Sequence, residues 1–286
     1  MNAPTVRLAA TAPFVGHHTG AEKRYPIDKN YQAPSIRLAH VPGAQGDNVL
    51  LGRKGVPKLT YDSRPALLVS FYYLEPFEEN RHNYVFRDWA MDSGAFSAHN
   101  SGVTINLSDY IDACKRLRDT DPLLTEIFAL DVIGDWKASL ANTKKMWKAG
   151  IEAIPCFHGG EPWDALVGIA KDYPKIAIGG VARRKLKTKM KFAEQCFARV
   201  WPKAIHGFGY GHEDAVLGFP FHSTDATNWE LGACGFGHWK TFGKLSVWGS
   251  QQNLRTEIEF YLALERQARH RWSKEMSLVC SGKRQS

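Results

Sequence analysis

Residues 175–208, KIAIGGVARRKLKTKMKFAEQCFARVWPKAIHGF, contain the pattern that decides the fold. Apolar runs at 175–178 and 204–208 predict two strands, and each run is followed by glycine. Residues 185–200 between them carry apolar side chains at helical spacing, which predicts a helix. A strand, a helix and a second strand in this order predict a βαβ unit with two parallel strands in one sheet.

The same alternation of strand and helix extends over most of the chain. Near-continuous apolar runs, typical of parallel strands covered on both faces, predict six more strands at 66–74, 89–91, 127–131, 153–157, 221–224 and 243–248. Helical spacing predicts further helices at 107–119, 136–149, 162–172 and 253–271. Eight strands alternating with helices predict an α/β fold, a (β/α)8 TIM barrel. A doubly wound sheet is the alternative, but its glycine-rich dinucleotide fingerprint is missing.

The first part of the chain has a different composition. Residues 1–62 are rich in Pro, Gly, Asn and His and show weak periodicity. We therefore predict an irregular N-terminal lead-in over 1–62, with short strands at 35–41 and 49–51, followed by a barrel domain over 63–286.

Composition excludes several classes of protein. Hydrophobic residues make up 44% of the 286 residues and charged residues 23%, which is typical of a globular protein. Without a run of ~18 apolar residues or a signal-peptide core, we expect no membrane association and a cytoplasmic location, the host cytoplasm if the gene is carried by a phage. The five cysteines form no CxxC pair, which indicates reduced thiols. The net charge of +8 favours a polyanionic partner.

Polar residues follow the predicted strands at the end where a parallel barrel carries its chemistry. Asp92, Asp131 and Asp225 each come directly after an apolar run, so we expect three carboxylates around one mouth. Each could instead be a turn former or a helix cap. His158 and His206 also lie at strand ends, but with no third ligand at a suitable position we predict no metal site.

A run of cations begins where the chain leaves the fifth of these eight predicted strands. It is either a solvated helix face or a clamp for a phosphate backbone. A second basic row on the last helix comprises Arg266, Arg269 and Arg271, and Trp89, Phe96, Phe157, Phe208 and Trp229 flank the predicted mouth, where one or two could stack on a base. The cations of the run are Arg183, Arg184, Lys185, Lys187, Lys189 and Lys191.

Six motifs in this order resemble the tRNA-guanine transglycosylase superfamily, and most closely its phage and bacterial branch that inserts 7-deazaguanine bases into DNA. They are DSGAFS at 92–97, ALDV at 129–132, FHGG at 157–160, IGGVA at 178–182, HGFG at 206–209 and STDATNW at 223–229.

The resemblance implies a role for each matching residue. Asp225 is the expected nucleophile and Asp92 the general acid and base. The base would be held by Ser93, Phe96, Asp131, His158, Gly179, Gly180, His206 and Gly207. His158 departs from the family, which has glutamine there.

Two further departures favour the DNA-modifying branch. The cysteine-rich zinc motif of the tRNA enzymes is absent, so no cofactor is expected, and Ala226 and the residues after it replace the arginine that follows the nucleophile. The expected function is a pentosyltransferase that replaces guanine in DNA by a 7-deazaguanine, such as a cyano- or aminomethyl-deazaguanine. Alternatives are exchange in tRNA, a non-catalytic nucleic-acid-binding subunit and a metal-dependent barrel hydrolase. A homodimer and a helper protein both stay open.

Overall fold

The computed structural model describes residues 4–10, 64–81, 86–181, 184–226 and 251–275. In this part of the chain eight strands run parallel to one another. They are β1 (Thr5–Ala10), β2 (Ala66–Ser70), β3 (Asp88–Asp92), β4 (Leu124–Ile127), β5 (Cys156–His158), β6 (Lys175–Gly179), β7 (Ala204–Gly207) and β8 (Ser223–Ala226).

Helices alternate with these strands, and side-chain caps fix where two of them begin. Asn106 Oδ1 accepts the N–H of Ser108 at 2.8 Å, and Asp135 Oδ1 accepts the N–H of Ala138 at 3.0 Å. The described helices are α1 (Leu74–Asn80), α2 (Ala95–Asn100), α3 (Leu107–Thr120), α4 (Trp136–Lys148), α5 (Trp163–Asp172), α6 (Leu186–Val200), α7 (Glu213–Gly218) and α8 (Gln251–Arg271).

The strands curl into a TIM-barrel-like (β/α)8 fold. Their order in the sheet is β4-β3-β2-β1-β8-β7-β6-β5. The two ends of this order meet, because Ala129 N–H donates to Ile154 O at 2.9 Å and Ile154 N–H donates to Ile127 O at 2.8 Å. The carboxyl ends of all eight strands therefore open on one side of the barrel.

Strand periodicity divides the core into an inner and an outer layer. Leu68, Ala90, Phe128 and Ala177 fill the barrel interior. Neighbours such as Leu67, whose side chains point the opposite way, pack against the helices in two larger clusters. Residues two positions beyond an interior residue on the same strand consequently face the barrel mouth.

The predicted helices are confirmed to within two residues at each end, whereas the strands shift more. The run at 66–74 forms a strand only over β2, after which the chain continues as a 3-10 turn over Phe71–Tyr73. The run at 127–131 overlaps β4 only at Ile127, and the run at 153–157 overlaps β5 only at its last two residues. The expected strands at 35–41, 49–51 and 243–248 lie outside the described residues.

The predicted N-terminal lead-in contains one of the barrel strands, β1. β1 pairs with β2 on one side and with β8 on the other, so Thr5–Ala10 belongs to the barrel, and the proposed boundary at residue 62 is wrong for these residues. The sequence hides this strand because Arg7 interrupts a short apolar run. Arg7 faces the interior, where it donates to Asp88 Oδ1 at 2.7 Å and to Glu126 Oε2 at 3.0 Å.

Helix α8 holds β1 through hydrogen bonds and ion pairs. Glu265 on α8 accepts the Val6 N–H at 2.9 Å and forms ion pairs with Arg87 at 2.9 Å and Arg269 at 2.6 Å. Arg266 on the same helix is buried, and Arg269 also donates to Pro4 O. The predicted basic row on α8 is therefore wrong for these two arginines, because Arg266 is buried and Arg269 bonds to Glu265 and to Pro4 O, just before β1.

Within the residues that the structure describes, none of the helices combines the length and apolar character needed to cross a membrane.

Candidate active site

Two of the three predicted carboxylates lie on barrel strands at the open mouth. Asp92 is the last residue of β3, two positions beyond the interior residue Ala90. Asp225 lies in β8, two positions beyond Ser223, whose Oγ contacts the ring of His206 in the barrel. Because strand side chains alternate, both carboxylates project toward the inside of the barrel.

Asp92 has a strongly perturbed carboxyl group. The pKa of Asp92 is raised to about 7: burial is the main cause, the negative charges of Asp131 and Asp225 contribute, and the N–H of Gly94, 3.1 Å from Oδ2, acts in the opposite direction. The electrostatic contributions of Asp131 and Asp225 indicate that the three carboxylates converge on one region. Near neutral pH Asp92 can therefore hold or release a proton.

Asp225 is held by the loop that follows β7. Its Oδ1 accepts the N–H of Gly209 at 2.7 Å. The Nζ of Lys189 donates to the carbonyl of Gly209 at 3.2 Å, so the Gly209 residue links the lysine to the carboxylate. Hydrogen bonds of this kind fix the orientation of a carboxylate before substrate arrives.

His206 lies beneath Asp225. It is 2% exposed, and its ring packs against Phe128 and Phe208 with centroids 4.6 and 4.5 Å away. Nδ1 lies 2.8 Å from Ser223 Oγ, and Nε2 lies 3.8 Å from Asp225 Oδ1, beyond hydrogen-bond distance. Burial lowers the pKa of this imidazole, which favours its neutral form.

Asp131 and His158 meet on the other side of the mouth. Asp131 Oδ2 lies 3.2 Å from His158 Nε2, and Glu161 Oε1 lies 3.0 Å from His158 Nδ1. The pKa of His158 is raised well above its ordinary value by its electrostatic interaction and hydrogen bond with Cys156 and by its hydrogen bonds with the carboxylates of Asp131 and Glu161. Burial raises the pKa of the Cys156 thiol to about 11, so the thiol is protonated at neutral pH.

The predicted glycines take two different positions. At Gly179 a Cβ would lie 3.2 Å from Cys156 Sγ, and at Gly180, where φ is +72°, it would lie 2.9 Å from His158 Cβ. Both therefore keep the chain close to the Cys156–His158 side of the mouth. At Gly207 a Cβ would meet Phe221 at 2.8 Å and Tyr210 at 3.0 Å, so this glycine is required by packing against the outer core.

Only some of the aromatic residues predicted to flank the mouth lie there. Phe96 follows Asp92 by four residues and is 55% exposed, as a stacking platform would be. Phe208 packs inside the barrel, whereas Trp89 and Phe157 point outward into the helical layer, so the prediction that these two flank the mouth is wrong. Ser93 is buried, with its Oγ 3.5 Å from Ala95 N. Trp229 lies outside the described residues.

The basic run is exposed except at one position. Arg184, Lys185, Lys187 and Lys191 are exposed at the start of α6, and Arg183 lies outside the described residues. Lys189 is buried and bonded to Gly209 O, and burial lowers its pKa. The prediction that Lys189 belongs to an exposed phosphate clamp is wrong. Lys189 lies on the buried face of α6 and points toward Gly209 in the loop after β7.

Comparisons with protein-family models and with curated proteins give no match for this chain.

Sequence reasoning missed four participants in the site: Cys156, Glu161, Gly209 and Lys189 as a neighbour of Asp225. Strand periodicity could have found Cys156, because it lies two residues before His158 and so shares its face. The other three act through contacts that depend on how α6 and the loops pack, which local sequence patterns do not contain.

Proposed function

We propose that this protein is a base-exchange glycosyltransferase that replaces guanine in DNA by a 7-deazaguanine through a covalent glycosyl–aspartate intermediate. The observation that carries the proposal is the pair formed by Asp92 and Asp225. They come from strands β3 and β8, interact electrostatically at one mouth and have different surroundings. Two carboxyl groups whose environments differ in this way are suited to separate acid–base and nucleophilic roles.

In the proposed reaction, Asp225 attacks C1′ of the target nucleotide while the bond between C1′ and the guanine breaks. The transition state resembles an oxocarbenium ion, and the product is a sugar ester of Asp225. Asp92 gives its proton to the departing base and takes a proton from the incoming 7-deazaguanine, whose nitrogen then attacks C1′ and frees Asp225. A pKa of about 7 suits Asp92 to both proton transfers. The reaction requires neither a redox nor a metal cofactor.

The remaining residues are proposed to hold the base. Asp131, His158 and the backbone of Gly180 would contact its polar edge, and Phe96 offers an exposed ring for stacking. His206 would limit the depth of the pocket, because its neutral ring fills the barrel below Asp225.

The nucleic acid is proposed to bind across the start of α6. A target base in duplex DNA must leave the stack at a cost of a few kcal/mol, which phosphate contacts offset. Arg184, Lys185, Lys187 and Lys191 are exposed cations in this region. The resemblance to the DNA-modifying branch favours DNA as substrate, with tRNA as the alternative.

The test is exchange of labelled guanine into duplex DNA and, in parallel, into tRNA. We expect incorporation into DNA, and a covalent protein–DNA adduct that survives denaturation. Asp225→Asn should abolish both, and Asp92→Asn should lower exchange by at least about a thousandfold. Asp164→Asn is the matched control, because Asp164 is exposed on α5.

Three results would contradict the proposal or part of it. Full exchange by Asp225→Asn would show that Asp225 is not the nucleophile. A wild-type protein that binds DNA but shows no exchange would support a non-catalytic subunit. Incorporation into tRNA alone would replace the DNA assignment.

A further inference from the structure

We propose that Asp131, Cys156 and His158 form a binding site for one thiophilic divalent cation of the zinc class. Among the described residues, these three offer a carboxylate oxygen, a thiol sulfur and an imidazole nitrogen that all lie within 4.8 Å of one another. Zinc sites with an open coordination position commonly take three protein ligands of these types. The site uses neither Asp92 nor Asp225 as a ligand.

The separation of the Asp131 and His158 ligand atoms suits simultaneous coordination. Asp131 Oδ2 and His158 Nε2 are 3.2 Å apart. Two ligand atoms placed about 2.0 Å from a tetrahedral zinc ion are about 3.3 Å from each other, so this separation fits adjacent ligands. Cys156 and His158 lie two residues apart on β5 and therefore face the same side of the strand.

The histidine is already oriented as a metal ligand would be. Glu161 Oε1 lies 3.0 Å from His158 Nδ1, which leaves Nε2 directed at Asp131. A carboxylate on the far nitrogen of a ligating histidine fixes the ring and its tautomer in many metal sites. Glu161 would therefore be a positioning residue for His158.

Space is available beside the cluster. A cavity of about 20 Å³ adjoins the cluster, with Asp131, Cys156 and Glu161 but not His158 in its lining, so a water-sized group fits next to two of the three ligands. Gly179 also leaves the thiol unobstructed, because a Cβ at that position would lie 3.2 Å from Cys156 Sγ.

Binding exchanges protons for the cation without any redox change. Bonds form between the cation and Cys156 Sγ, His158 Nε2 and Asp131 Oδ2, and the thiol proton and the Nε2 proton of His158 leave to solvent. Because Asp131 and His158 would then be coordinated, an occupied site removes them from base recognition. The loaded protein is therefore expected to be inhibited in the proposed base exchange. Metal binding is measured without that activity, so the two proposals fail separately.

The experiment titrates the chelator-treated full chain with Co²⁺, whose bond to a thiolate gives a charge-transfer absorption band. We expect one Co²⁺ per chain with this band, and loss of the band when Zn²⁺ is added. Cys156→Ser should lose the band, and Asp131→Asn and His158→Gln should each weaken binding by at least about tenfold. Glu161→Gln should weaken it about 10- to 100-fold.

Cys114→Ser is the matched control, because Cys114 is a buried thiol on α3 outside the cluster. Circular dichroism of each variant verifies folding. The proposal is overturned if the wild-type chain binds no stoichiometric Co²⁺, or binds it without the charge-transfer band. This result does not depend on the folding of any variant. A band that persists in folded Cys156→Ser overturns it as well.

Discussion

At the scale of the residue, the proton of Asp92 links the proposed chemistry to stability. Its pKa in the folded protein is about 7, with burial as the main cause, against ~3.9 in an unfolded chain. Between these values the native state holds a proton that the unfolded state has released. Stability attributable to this group therefore falls as pH rises from about 4 to about 7 and stays lower above that window.

Asp92→Asn should consequently stabilise the protein at high pH, because the amide carries no charge to bury and can still accept the Gly94 N–H. We expect the gain in free energy of unfolding to be larger at pH 8 than at pH 5 by roughly 1–3 kcal/mol. Urea unfolding at both pH values measures this, with Asp164→Asn as control. An equal gain at the two pH values would show that Asp92 does not titrate in this range.

At the scale of the element, α6 presents cations to two different surroundings. Lys187 and Lys191 lie four residues apart on one exposed face, whereas Lys189 is buried and bonds to Gly209 O. Only the exposed face is available to phosphates, so the two kinds of lysine should respond differently to substitution.

We expect the triple substitution of Lys185, Lys187 and Lys191 to Glu to weaken DNA binding, and to flatten the dependence of log K on log salt by about 0.9 per lost phosphate contact. Lys189→Met should leave that slope unchanged and lower the exchange rate instead. The control with equal charge reversal on exposed positions of α4 replaces Lys144, Lys145 and Lys148 by Glu. DNA affinity measured across a salt series tests this prediction. An equal loss of affinity in the control variant would show that only net charge matters.

At the scale of the whole molecule, closure of the barrel depends on contacts between the two ends of the described chain. Glu265 on α8 accepts the Val6 N–H of β1 and pairs with Arg87 and Arg269 while being 1% exposed. Removing a buried partner leaves cations and an N–H group without compensation.

We therefore expect Glu265→Ala to lower the free energy of unfolding by about 3–5 kcal/mol. Glu78→Ala is the comparison, because its ion pair with Arg116 is largely exposed and should contribute less than about 1 kcal/mol. Denaturant titration of both variants tests the difference. Equal small losses would show that α8 is not required to hold β1.

The sequence by itself determined the alternation of strands and helices, because apolar periodicity and end signals such as Asn106 and Pro162 are local. It also indicated Asp92, Asp131 and Asp225, because polar residues directly after buried strands stand out in a chain of this fold. The sequence also indicated that most cations of the run at 183–191 are exposed, because they alternate with few apolar residues at the start of a helix.

Only the tertiary structure decided which residues share an environment. It made Thr5–Ala10 a central strand, through an interior Arg7 that finds Asp88 and Glu126 far along the chain. It turned Lys189 toward Gly209 and gathered Cys156 and Glu161 around His158. The physical reason is that burial and charge compensation depend on atoms distant in sequence, whereas secondary structure depends mainly on neighbours.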